Sequence, residues 1–99
     1  MEGRLSLHCT ERQSVVVFSF MAEIKERLQS KNPDAIVDVQ PHDRFSVSIM
    51  MRWRIAEQGY GVHRLVSTHE IMSAKWGPAD LVSHMVEEIC HSREEAIHA

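Results

Sequence analysis

From Phe45 to Ile55 the chain alternates without a break. Phe45, Val47, Ile49, Met51, Trp53 and Ile55 take every odd position, and Ser46, Ser48, Met50, Arg52 and Arg54 fill the even ones. A period of two belongs to a strand with one face on a core, so the odd row is predicted to be buried. Upstream, Ala35 to Gln40 reads as a shorter strand with Val37 and Val39 on one side, and Pro41-His42-Asp43 as the turn that follows. Downstream, Glu57-Gln58-Gly59-Tyr60-Gly61 reads as a glycine-bearing hairpin loop. The return strand, Val62 to Met72, keeps no single parity: Val62, Val66 and Met72 fall on one side, Leu65 and Ile71 on the other. A bulge near Ser67-Thr68-His69, or partial cover of both faces, reconciles the two halves.

Outside this block the spacing changes to three and four. Val17, Phe18, Met21, Ile24 and Leu28 recur at helical intervals, with Glu23, Lys25, Glu26 and Arg27 opposite. Thr10-Glu11-Arg12-Gln13 opens the segment as a capping box, in which the Thr and Gln side chains each satisfy a free backbone N–H. The pattern predicts a helix over about 11–30, broken by Asn32-Pro33-Asp34. Val15 to Phe20 is apolar nearly all round and rich in β-branched residues, so a strand over 14–20 is the competing reading. Leu5, Leu7 and Cys9 alternate just before it and suggest a short leading strand. A last helix starts at Trp76-Gly77-Pro78, where a proline in the first turn loses no hydrogen bond, and runs to about residue 97. Two apolar helix faces and one apolar sheet face predict an α+β two-layer sandwich. Three antiparallel strands, or four with the leading one, carry two helices on one face.

Composition adds bounds rather than chemistry. Ninety-nine residues, 43% apolar and 25% charged, describe one globular domain spanning 1–99. The net charge of −3 is uneven: residues 42–77 carry 5 basic against 3 acidic residues, and 78–99 carry 1 against 5. The acidic C-terminus argues against general nucleic-acid binding, which rests on neutralising phosphates. Cys9 and Cys90 form no CxxC pattern, and Val15-Val16-Val17-Phe18 is too short to span a bilayer. A cytoplasmic chain with no membrane partner is the expectation.

The last helix carries the most conspicuous pattern. His84 to Cys90 is echoed by His91 to Ile97, each histidine followed by paired glutamates. At about 100° per residue every His and Glu falls on one side, with Met85, Val86, Ile89, Cys90 and Ile97 on the other. His84 and His91 are about 10 Å apart along the axis, too far to share an ion. Glu88 and His91 have the Glu-x-x-His spacing of di-iron bundles, but the first helix offers no matching motif. No metal or cofactor is therefore expected. Glu87, Glu88, His91, Glu94 and Glu95 are read as a solvated acidic ridge whose functional use would be to dock a basic partner.

No Gly-x-Ser-x-Gly elbow exposes a nucleophile, and Cys90 lies beside the apolar helix face, so no catalytic residue is expected. An enzyme would need a cleft lined by some of His42, Asp43, His63 and His69. The even-numbered face of the central strand is the stronger lead. Met50, Arg52 and Arg54, joined by His63, Leu65, His69 and Ile71 from the return strand, form the predicted protein interface. Interface centres favour Met and Arg over Lys and Glu, and the most economical partner is a second copy. The expected function is a small non-catalytic protein-interaction module, a homodimer associating through its sheet, acting as adaptor, structural subunit or inhibitor. Such chains fit the accessory proteins of phages and mobile elements. Nucleic-acid binding through Arg52, Arg54, Arg64 and His63 is the alternative. The element order resembles that of double-stranded RNA-binding domains, in which a basic cluster at the start of the second helix meets phosphates. The corresponding stretch, Ser73-Ala74-Lys75-Trp76-Gly77-Pro78-Ala79-Asp80, has one lysine followed by an acid and lacks that cluster.

Overall fold

Thr10 caps a 21-residue helix, α1 (Glu11–Lys31), so the helical reading of Val15 to Phe20 holds against their β-branched composition. The capping box forms as predicted: Thr10 N donates to Gln13 Oε1 at 2.9 Å, and Gln13 N to Thr10 Oγ1 at 3.2 Å. Val17, Phe20, Met21, Ile24 and Leu28 are buried, and that burial outweighs a weak local preference for strand. The structure is a computed structural model that describes residues 10–73 and 78–98. The suggested leading strand at Leu5 to Cys9 lies outside the described residues.

Asn32 ends α1 and leads through a turn into β1 (Ile36–Asp43), β2 (Ser46–Ile55) and β3 (Gln58–Ser67). These make one antiparallel sheet in the order β1-β2-β3. Val47, Ile49, Met51 and Trp53 are buried as their parity requires, facing Val66, Arg64, Val62 and Tyr60 of β3. The row fails at its ends. Phe45 precedes β2 in the tight turn after Asp43 and is 57% exposed, and Ile55 at the hairpin tip is 42% exposed. β1 runs on through Pro41, which sits opposite Val47 on an edge strand where its missing N–H breaks no ladder.

The hairpin loop is shorter than its glycines suggested. Ile55 pairs with Gln58, which leaves Ala56 and Glu57 as the loop, while Gly59 and Gly61 lie inside β3 opposite Arg54 and Arg52. Ala56 has φ 56°, a left-handed conformation that crowds its Cβ. Ala56→Gly is therefore expected to raise the unfolding free energy by roughly 0.5–1 kcal/mol. Urea unfolding should show a higher midpoint at unchanged slope.

β3 ends at Ser67, whose side chain accepts from Glu70 N at 2.9 Å and starts a single helical turn, α2 (Thr68–Met72). That turn, not a bulge, resolves the mixed parity of the return strand: it swings Ile71 into the core, fully buried. The last helix, α3 (Pro78–His98), begins at the predicted proline and buries Val82, Met85, Val86 and Ile89. Arg27 of α1 donates to Ser83 and Asn32 to Cys90, so α1 and α3 run in the same direction. α1 packs over β1 and α3 over β3, both on the Val47–Trp53 face. The result is the expected α+β two-layer sandwich, in which the described residues leave one sheet face outside the helix layer.

Candidate functional site

Strand parity and register set out the uncovered face row by row. Gln40, Ser48 and Leu65 share one row; Asp38, Met50 and His63 the next; then Ile36, Arg52 and Gly61; then Arg54 and Gly59. Ile36, at the start of edge strand β1, and Leu65, on edge strand β3, are 58% and 52% exposed. Ser48 Oγ and His63 Nε2 lie 2.8 Å apart on the diagonal, and this pairing fills the buried Ser48 hydroxyl. Arg52 reaches Asp38 at 3.7 Å with both side chains more than half exposed, a contact worth little in water. Arg54 donates to Glu57 O at 3.3 Å. Gly59 and Gly61 project no side chain beside the two arginines. The surface there sinks into a trough of about 760 Å³, with Ile36, Met50, Arg52, Arg54 and His63 among its walls.

Five of the seven predicted interface residues meet here: Met50, Arg52, Arg54, His63 and Leu65. Two do not. Ile71 is in the core because α2 turned it inward, and His69 lies on the exposed side of that same turn. Ile36, Asp38 and Gln40 belong to the face and were missed. Their signal was present, since Val37 and Val39 on the core side oblige the residues between them to face the other way.

Arg64 leaves the proposed basic cluster altogether. It shares the parity of Val62 and Val66, so it points to the helix side, where its Nε and Nη2 atoms reach Glu88 at 2.9 Å and Nη2 reaches Ser92 Oγ at 3.1 Å. This clamp ties α3 to β3. It also removes Glu88 from the acidic ridge, which is reduced to Glu87, Glu94 and Glu95 with His91, 3.7 Å from Glu95.

Two of the residues named for an enzymatic cleft have other tasks. Asp43 accepts from Phe45 N and Ser46 Oγ, each at 2.8 Å, and these donors, the backbone one foremost, hold its carboxyl below the usual range. His63 is engaged with Ser48. At the opposite end of the sheet a second polar network locks α1 to α3. Arg93 donates to Asn32 Oδ1 at 2.8 Å and to Asp34, and its guanidinium lies 5.0 Å from the Trp53 ring centre. The hydrogen bond from Arg93 lowers the Asp34 carboxyl from its ordinary value. Trp53 stacks on Tyr60 at 6.0 Å, and its buried Nε1 has no hydrogen-bond partner among the described residues. Cys90 is a free thiol, partly buried, that accepts from Asn32 Nδ2 at 3.5 Å.

Among the described residues no group of three or more His, Cys, Asp or Glu is placed to hold a metal ion, and no helix is long and apolar enough to cross a membrane. Comparison with protein-family models, with curated proteins and with solved structures returns no match.

Proposed function

We propose that this chain is a small non-catalytic interaction module that self-associates through the outer face of its sheet. The observation that carries the reading is the exposure of Ile36 and Leu65 on a sheet whose helices, among the described residues, lie on the other side. Exposed aliphatic side chains flanking a trough, with arginines and a methionine between them, have the composition of an interface centre rather than of a solvated surface. The face carries both signs of charge, Asp38 against Arg52 and Arg54, so opposite charges are available to meet across a pair of copies. With Arg64 held by Glu88, the proposed sheet cluster keeps Arg52 and Arg54 for phosphates among the described residues, which weakens the nucleic-acid reading.

A small footprint fits a weak, transient contact. Strands of about 30 Å at ~4.8 Å spacing cover roughly 400 Å² in plan. That is near half of the ~800 Å² per partner of a standard interface, so a dissociation constant of about 10–100 µM is expected. Sedimentation velocity over a concentration series should show a reversible monomer–dimer equilibrium in that range. Met50→Glu sets a carboxylate in the centre of the face and should leave a folded monomer. A wild-type chain that stays monomeric at about 500 µM, tens of times the tighter end of that range, contradicts the proposal.

A further inference from the structure

We propose that the glycine trough on the outer face is a binding site for a small aromatic monocarboxylate. The site is complete in a single copy and does not rest on self-association. Its volume of about 760 Å³ is that of a small-molecule pocket. Gly59 and Gly61 line it from inside β3, and the fold itself asks for neither. Neither has the left-handed φ that favours glycine. Among the described residues a Cβ at Gly59 would meet nothing within 4 Å, and one at Gly61 only ordinary contacts, with Met51 O at 3.5 Å and Arg52 Cγ at 3.6 Å. Glycine gives up more chain entropy in a strand than any other residue, and where the fold does not use the space it marks a close approach from outside. Two bare positions on one face expose flat backbone, which suits the face of a ring.

The rim sets the charge of the occupant. Arg52 and Arg54 stand two residues apart on one side of β2, about 7 Å between Cα atoms, and both line the trough. Each is weakly held: Arg54 donates to Glu57 O at 3.3 Å, and Arg52 lies 3.7 Å from Asp38 with both side chains in water. A ligand can therefore recruit either guanidinium at little cost. Asp38 offsets one of the two positive charges, while Asp34, the acid in the trough wall, is neutralised by Arg93. The surplus is one positive charge, the complement of a monoanion rather than of a phosphate dianion. A guanidinium fork matches a carboxylate with two parallel hydrogen bonds. Ile36, 58% exposed, and Met50 give apolar walls to the edges of the ring.

Saturation-transfer NMR with 2-naphthoate as the probe tests the site. Protein at about 5 µM lies below the dissociation constant expected for a dimer, so the face is free, and about pH 8 is above the ordinary histidine range. The probe should bind saturably with a dissociation constant of about 1 mM or lower, the scale for a ligand of its size. The neutral 2-naphthamide should bind about fivefold more weakly. Arg54→Gln should weaken 2-naphthoate by about fivefold and leave 2-naphthamide unchanged. Gly59→Val separates site from fold. A β-branched side chain suits a strand and meets open space there, so its urea midpoint should rise while 2-naphthoate binding falls by about fivefold or more. No saturation by about 5 mM overturns the site. Equal affinities for 2-naphthoate and 2-naphthamide, or a Gly59→Val chain that binds like wild type, overturn it as well. Tighter binding of 2-naphthyl phosphate by about tenfold overturns the monoanion assignment.

Discussion

Phe20→Ala is expected to lower the unfolding free energy by about 4 kcal/mol, a large part of the roughly 5–15 kcal/mol that holds a domain together. Phe20 is 2% exposed, in the middle of the α1 face that also buries Val17, Ile24 and Leu28. Removing its ring loses the transfer free energy of the buried carbons and leaves a cavity that rigid neighbours only partly close. Phe18, two residues earlier, supplies the control. It lies on the opposite side of the same helix and is 50% exposed, so Phe18→Ala should cost about 1 kcal/mol or less. Urea denaturation of both variants measures the contrast. Equal losses would mean that α1 is rotated about its axis from the orientation described.

Arg93→Ala is expected to cost about 2–3 kcal/mol for a different reason. The Arg93 side chain is only 15% exposed, and it fills three needs at once. It satisfies Asn32 Oδ1 in a residue 6% exposed, covers the Trp53 ring and pairs with Asp34. Most of the loss comes from Asn32 and Trp53, since Asp34 is in water. Arg93→Lys should recover only part of it, because an ammonium is a single point charge that cannot bridge Asn32 and Asp34 while lying flat on an indole. Acid adds a second readout. Arg93 lowers the folded-state pKa of Asp34, so this contribution is fully present above the unfolded carboxylate value of about 3.9 and is lost as pH falls through the lowered value. Stability of Arg93→Ala should therefore fall less steeply than wild type at the acid end. Parallel acid limbs would show that the pair does not act on stability.

The strand of residues 46–55 was legible because its alternation is long and its buried side holds only apolar residues. Its ends were not, since periodicity carries no information about where the covering helices stop: Phe45 lies in a turn and Ile55 at a tip. The hairpin was misplaced for a related reason. Glycines mark loops in sequence, whereas the positive φ of Ala56 has no sequence signal, so the loop was drawn toward Gly59 and Gly61. Those two glycines shape the candidate site instead. Ile71 was assigned to the sheet face because α2 has five residues, fewer than two helical turns, and leaves no period to detect. Arg64 and the even-numbered residues of β1 are another kind of miss. Parity already assigned Arg64 to the core side and Ile36, Asp38 and Gln40 to the outer one, and following it through would have given both. The clamp between Arg64 and Glu88 could not be read, because it joins residues 24 apart across two elements.

The account rests on the outer sheet face being where two copies meet, and the amide NMR spectrum on dilution tests this directly. Between about 1 mM and about 5 µM, which brackets the expected dissociation constant, resonances of residues 46–54, 61–65 and 36–40 should shift together along one binding curve. Those on the exposed sides of α1 and α3 should hold still. A spectrum that does not change with concentration, or shifts confined to the helices, would contradict it.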